Sequence, residues 1–188
     1  MSTPQLLAVA DTETDLSTPA EISAAPQGPY LNAELAIWDE LARSLTQYPR
    51  IWLSIEEAAM VLGEEVDELW DDVRANQIEH ARIEAAQVGA MAIRFIADLY
   101  GPTAPARERC RAAVAEQRTA RAAVGPRGRV LASSHEGFGF MRREYDALWS
   151  AVRFDDPARP AAARVAAMAV RFIAEITSVS PPVRRLSC

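Results

Sequence analysis

The chain has 188 residues, 49% of them hydrophobic, a formal net charge of −6, two Cys and no Lys. That length supports one domain with a real core, and Cys110 and Cys188 are too few for a disulfide framework or a zinc site, so a reducing, cytoplasmic setting is expected. A basic region followed by a long apolar run does not open the chain, and no stretch approaches the roughly 18 to 20 apolar residues of a membrane span; the sequence reads as neither secreted nor inserted in a membrane.

The charge is divided unevenly. Residues 1–99 hold five Arg against 18 acidic residues, a net −13, whereas residues 100–188 hold 15 Arg against eight, a net +7. Halves of opposite sign attract, and a basic surface can then lie beside an acidic site. Ala, Leu, Glu and Arg dominate, strand-type alternation is scarce, and Pro and Gly cluster between periodic segments, which together indicate an all-α protein.

Residues 1–29 lack a helical period and are expected to form a disordered tail ending at Pro29. A first helix is expected over about 31–46, with Leu35, Trp38, Leu41 and Ala42 on its apolar side. Ser54 reads as an N-cap with Glu57 in the capping-box position. The second helix, about 55–74, carries Leu62, Val66, Leu69 and Val73 in one stripe, and Glu65, Glu68 and Asp72 flank it. The third, about 78–99, is apolar around much of its circumference and should be central. Pro102 and Pro105 mark a joint before a fourth helix at about 106–123, ended by Gly125-Pro126 and Gly128. A fifth, about 135–153, carries Met141, Tyr145, Leu148 and Val152. A sixth follows at about 158–177, and Ser180-Pro181-Pro182 opens a frayed C-terminus.

Residues 54–99 and 133–176 align as two copies of one helical hairpin. Leu69-Trp70 matches Leu148-Trp149, Val73-Arg74 matches Val152-Arg153, and Arg94-Phe95-Ile96-Ala97 matches Arg171-Phe172-Ile173-Ala174, with a two-residue deletion in the connecting turn. Both copies keep the packing face, but only the first keeps its acids. The expected organisation is a repeat over 30–100, a degenerate repeat over 101–178 and a tail over 179–188.

The acids stand as Glu64-Glu65-Val66-Asp67-Glu68, followed after a spacer by Glu84-Ala85-Ala86-Gln87. Positions three or four apart on a helix project from one side, so Glu65 and Glu68 converge, and an antiparallel hairpin brings Glu84 and Gln87 opposite them. Four such oxygen-bearing side chains suit Mg²⁺, or Mn²⁺ in its place, because hard cations take oxygen ligands and leave positions for phosphate. Against this, acids on a helix flank are more often solvated or paired, and Glu84 lies near a helix N-terminus, where a carboxylate is favoured anyway.

The segment resembles the MazG-like all-α nucleoside triphosphate pyrophosphohydrolases, whose motif is EExxE, a spacer, then ExxD. The resemblance covers about residues 50–99 and, in degenerate form, 130–176. It implies a tandem pseudo-dimer with a four-helix core and additional helices, converting (d)NTP to (d)NMP and pyrophosphate. Glu65, Glu68, Glu84 and Gln87 would hold the metal, with Glu64 activating water or supporting the ligands. Gln87 departs from the motif's Asp, bringing an amide oxygen but no charge.

In the second copy the equivalents of Glu64, Glu65, Glu68, Glu84 and Gln87 are Arg143, Glu144, Ala147, Ala161 and Arg164. Metal binding is not expected there. Arg142, Arg143 and Arg164 are either released surface residues, the preferred reading, or groups that neutralise triphosphate across the pseudo-dimer. Trp70 and Trp52 read as core anchors, although Trp70 could also wall a base pocket. His80 and His135 have no nucleophile at a recognisable spacing, and the basic half lacks interleaved aromatic residues, so polynucleotide binding is not expected. The competing functional reading is a MazG-like bundle that has lost catalysis through Gln87 and binds a nucleotide or a protein; a purely structural bundle is a third. Association of two tandem units into a homodimer remains open.

Overall fold

The computed structural model describes residues 27–124 and 129–177. Within them the chain forms six helices and no strand: α1 (Gln27–Gln47), α2 (Ile55–Arg74), α3 (Ile78–Tyr100), α4 (Ala106–Arg121), α5 (Ser134–Arg153) and α6 (Arg159–Glu175). Of the tail expected over 1–29, residues 1–26 lie outside the described residues, as do the whole tail expected over 179–188 and the breaker at 125–128. No described helix is long and apolar enough to cross a membrane.

α3 and α6 form the central pair, and α1 and α4 each pack on both of them. α2 packs on α3 and α5, and α5 on α6. Centrality follows from composition: α3 is buried almost continuously from Ala85 to Ala97, and α6 from Ala161 to Ile173, so neither has a solvent face over its middle turns. One continuous core joins all six helices. Small residues set the spacing. A Cβ on Gly89 would stand 2.7 Å from Ile37 Cδ1 and 3.1 Å from Ala169 Cβ, so glycine there is what lets α3 approach α1 and α6.

The stripes expected on α2 and α5 are buried throughout: Leu62, Val66, Leu69 and Val73, then Met141, Tyr145, Leu148 and Val152. α1 differs from expectation in two ways. It begins at Gln27 and includes Pro29, because proline is tolerated in a first turn whose N–H groups have no intrahelical partner. Its inward face is Ala33, Ile37, Leu41 and Ser44, while Leu35 is exposed. The Ser54 N-cap forms, its hydroxyl accepting from Glu57 N–H at 3.3 Å, but the Glu57 carboxylate pairs with Arg50 instead of closing a capping box.

The two hairpins share their polar joints. Buried Arg94 donates to the carbonyls of Tyr48 and Arg50, both at 2.6 Å, and to Asp98, whose carboxylate also accepts from Trp52 N–H at 3.2 Å. Arg171 donates to the carbonyls of Val124 at 2.8 Å and Arg129 at 3.0 Å and to Glu175, which accepts from Leu131 N–H at 2.7 Å. Each arginine thus ties the segment before a hairpin to that hairpin's second helix. The turns match as well: Asn76 and Asp155 take positive φ of 56° and 57°, a region these short polar side chains tolerate.

Candidate carboxylate site

Three carboxylates meet where α2 and α3 run antiparallel. Glu65, Glu68 and Glu84 each offer an oxygen, and these oxygens lie within 4.8 Å of one another. Glu65 and Glu68 are neighbours on α2 through their i, i+3 spacing, and Glu84 comes from the second turn of α3. At the margin of a buried stripe, Glu65 and Glu84 are half-buried while Glu68 is exposed. Glu65 Oε2 is buried and has no hydrogen-bond partner among the described residues.

The electrostatic consequence is a carboxyl group that resists ionisation. Burial, reinforced by the charges of Glu68 and Glu84, pushes Glu65 up to about 7. Glu84 is raised too, by burial first and then by Glu68 and Asp72, with His80 opposing. Clustered acids of this kind are relieved by a proton or by a cation.

Gln87 stands beside the three acids with its amide nitrogen engaged. Its Nε2 donates to Glu84 Oε2 at 2.6 Å, so its amide fixes one of the carboxylates. Glu64 is exposed and is not one of the three converging groups. Trp70 is half-buried and packs away from them, stacked on Phe138 at 4.8 Å with His135 edge-on at 5.8 Å.

Arg143 and Arg164 belong to a different arrangement. Arg164 Nε donates to Glu144 Oε2 at 2.7 Å and Arg143 Nη2 to Glu144 Oε1 at 2.9 Å. Glu144, which aligns with Glu65, is therefore buried between two guanidinium groups. Arg142 joins Asp146 on its own helix to Asp67 on α2.

A cleft of about 640 Å³ opens beside the acids, between α1, α2, α3 and the segment leading into α2. Glu65 and Gln87 line one part of it, Val61, Trp52 and Met91 give apolar wall, and the ion pairs Arg43–Glu40 and Arg50–Glu57 complete it. Arg94 sets this shape by holding the 48–52 segment, with its guanidinium 4.7 Å from the Trp52 ring centroid.

Sequence reasoning missed Glu40. It lines the cleft from α1, and its charge raises both Glu65 and Glu84. A signal was present, since Glu40 adjoins Leu41 and precedes buried Ser44 by one turn, the same stripe-edge position that singled out Glu65. Arg94 was read only as part of a repeated packing motif, and its capture of two backbone carbonyls has no local sequence signature.

No family model, curated protein or solved structure matches the chain.

Proposed function

We propose that the chain is a Mg²⁺-dependent nucleotide pyrophosphohydrolase with a single site on α2 and α3, converting a nucleoside triphosphate to the monophosphate and pyrophosphate. The observation that carries this reading is the convergence of Glu65, Glu68 and Glu84 with a buried, unpartnered Glu65 oxygen among them. Such a donor set fits a hard divalent cation, which takes carboxylate oxygens and relieves the repulsion that burial imposes. When bound, Mg²⁺ or Mn²⁺ would neutralise phosphate charge and polarise the phosphorus under attack.

The chain's own groups have separate roles. Glu65, Glu68 and Glu84 would hold the cation, and the Gln87 amide keeps Glu84 oriented through the bond at 2.6 Å. A carboxylate beside them would take the proton of the attacking water. Glu64 is the motif-based candidate, and Glu40, at the cleft wall and ion-paired with Arg43, is the structural one. The apolar Val61, Trp52 and Met91 surface offers a place for a nucleoside. The repeated hairpin supplies a supporting half: its Glu144 is neutralised by Arg143 and Arg164, so one site per chain is expected.

One observation favours the second reading, a nucleotide-binding bundle without turnover. Gln87 replaces a fourth charge and spends its donor on Glu84, leaving three acidic ligands where the MazG-like motif implies four. Incubation with Mg²⁺ and a panel of NTPs and dNTPs separates the two. Monophosphate and pyrophosphate, lost in Glu65→Ala, support the hydrolase; metal-dependent binding without product supports the binding bundle, and neither outcome leaves a structural bundle.

A further inference from the structure

α1 carries two apolar stripes, and the core uses only one. Ala33, Ile37 and Leu41 face inward, while Leu31 and Leu35, at 54% and 53% exposure, form an outer stripe continued by half-buried Trp38. The spacing of 31, 35 and 38 is the i, i+4, i+7 pattern of a helix face built to be covered.

Because α1 and α4 each rest on α3 and α6, a groove lies between them. Two adjoining hollows of about 360 and 410 Å³ share Trp38 and Arg107. The outer stripe of α1 makes one wall, and α4 presents Arg107, Arg111 and Val114 on the other. On the same helix, Arg118 and Arg121 are paired with Glu34. Arg107 and Arg111 are exposed and have no carboxylate partner among the described residues. The groove therefore asks for an occupant that is apolar along one part and acidic along another.

We propose that this groove is the docking site of the chain's own residues 6–16, with Leu6, Leu7 and Val9 against the α1 stripe and Asp11, Glu13 and Asp15 against Arg107 and Arg111. Residues 1–26 contain four acids and no basic residue, and Leu6-Leu7-Ala8-Val9-Ala10 runs directly into the acids. The alternation of Asp11, Glu13 and Asp15 places all three on one side of an extended segment. Reach is sufficient: residues 17–26 span up to about 33 Å, which matches the roughly 32 Å length of α1. The tether begins where α1 begins, four residues before Leu31, and raises the effective concentration of the segment at the groove. The α1–α4 face of a second copy would bring two more arginines without a carboxylate partner among the described residues, and no acidic run of its own.

The test uses the full chain with Cys188→Ser and Ala8→Cys, spin-labelled at residue 8. Buried Cys110, whose thiol burial pushes up to about 11, is left unlabelled. With ¹⁵N-labelled indoles, docking predicts loss of the Trp38 signal while that of Trp149, on α5, persists. Adding Arg107→Glu and Arg111→Glu should restore Trp38, with unchanged Trp52, Trp70 and Trp149 shifts showing that the fold is intact. A Trp38 signal that survives in the labelled chain overturns the proposal. So does loss of the signal in an unlabelled ¹⁵N chain mixed with spin-labelled chain, because the occupant is then another copy's segment.

Discussion

Glu65 and Glu144 stand at aligned sequence positions in two hairpins that both have a serine N-cap, Ser54 and Ser133, a positive-φ turn residue and a buried arginine clamp, yet their surroundings are opposite. Glu65 is pressed against Glu68 and Glu84, with one oxygen buried and unpartnered. Glu144 accepts from Arg143 and Arg164, so the buried charge is paired. The scaffold tolerates either solution, which shows that it does not require the repulsive one. A fold that can neutralise a carboxylate with two arginines and does so in only one half retains, in the other, a cluster whose cost a cation would relieve. That is the physical case for a site on α2 and α3.

The sharpest way to break this contrast is to remove each carboxylate in turn. Under the proposed function, Glu65→Ala or Glu68→Ala should lower turnover by at least about 100-fold, whereas Glu144→Ala should leave it within about threefold, because only the first two would hold the cation. Initial rates of pyrophosphate release with saturating Mg²⁺ measure both. Equal losses at Glu65 and Glu144 would mean that the second hairpin is part of the active site.

The second effect falls on stability. Replacing both Arg143 and Arg164 by Ala strands buried Glu144 without a counter-charge and should cost about 2–3 kcal/mol in urea unfolding. Nucleotide affinity should not change, since both guanidinium groups are engaged with Glu144. Weakened affinity in a folded variant would revive the idea that they neutralise phosphate.

The fold was legible because helices advertise their buried faces: the stripes of α2 and α5, and the nearly all-round apolarity of α3, are local patterns that the core uses as written. α1 misled because it has two stripes, and composition does not say which one turns inward. The convergence of Glu65, Glu68 and Glu84 was legible too, since helix periodicity and an antiparallel hairpin bring them together. What the side chains do with one another was not. The bond from the Gln87 Nε2 to Glu84 at 2.6 Å has no signature in the sequence, and it leaves the amide oxygen, the atom a cation would take, uncommitted. The Arg143–Glu144–Arg164 grouping likewise needs the register of α5 against α6.

Gln87 offers the next test. Gln87→Asp removes the donor to Glu84 and adds a fourth charge, so the metal-free variant should be less stable while affinity for Mg²⁺ or Mn²⁺ rises about tenfold, the equivalent of about 1.4 kcal/mol. Titration calorimetry with the metal alone reads this directly. Unchanged affinity would show that position 87 does not reach the cation.

The smallest effect concerns protonation and sharpens the contrast most specifically. Glu65 in the folded chain is raised from 4.5 to about 7, so between those pH values the folded state keeps a proton that the unfolded state has released. Stability contributed at this position is therefore highest below about pH 4.5, falls as pH rises through the window and is at its lowest above about 7. Glu65→Gln removes the ionisation and its penalty. With solvent screening at a partly exposed carboxylate, the gain at pH 8 in EDTA should be about 1 kcal/mol, or roughly 2–4 °C in Tm, and should vanish at pH 4. Mg²⁺ should raise the Tm of the wild-type chain at pH 8 and leave the variant's unchanged, because a ligand that binds the folded state stabilises only where its site survives. Glu144→Gln should do the reverse of Glu65→Gln at pH 8, losing stability as two arginines lose their shared partner. A gain at both positions would mean that repulsion is not confined to the first hairpin, and the contrast between the two carboxylates would fail.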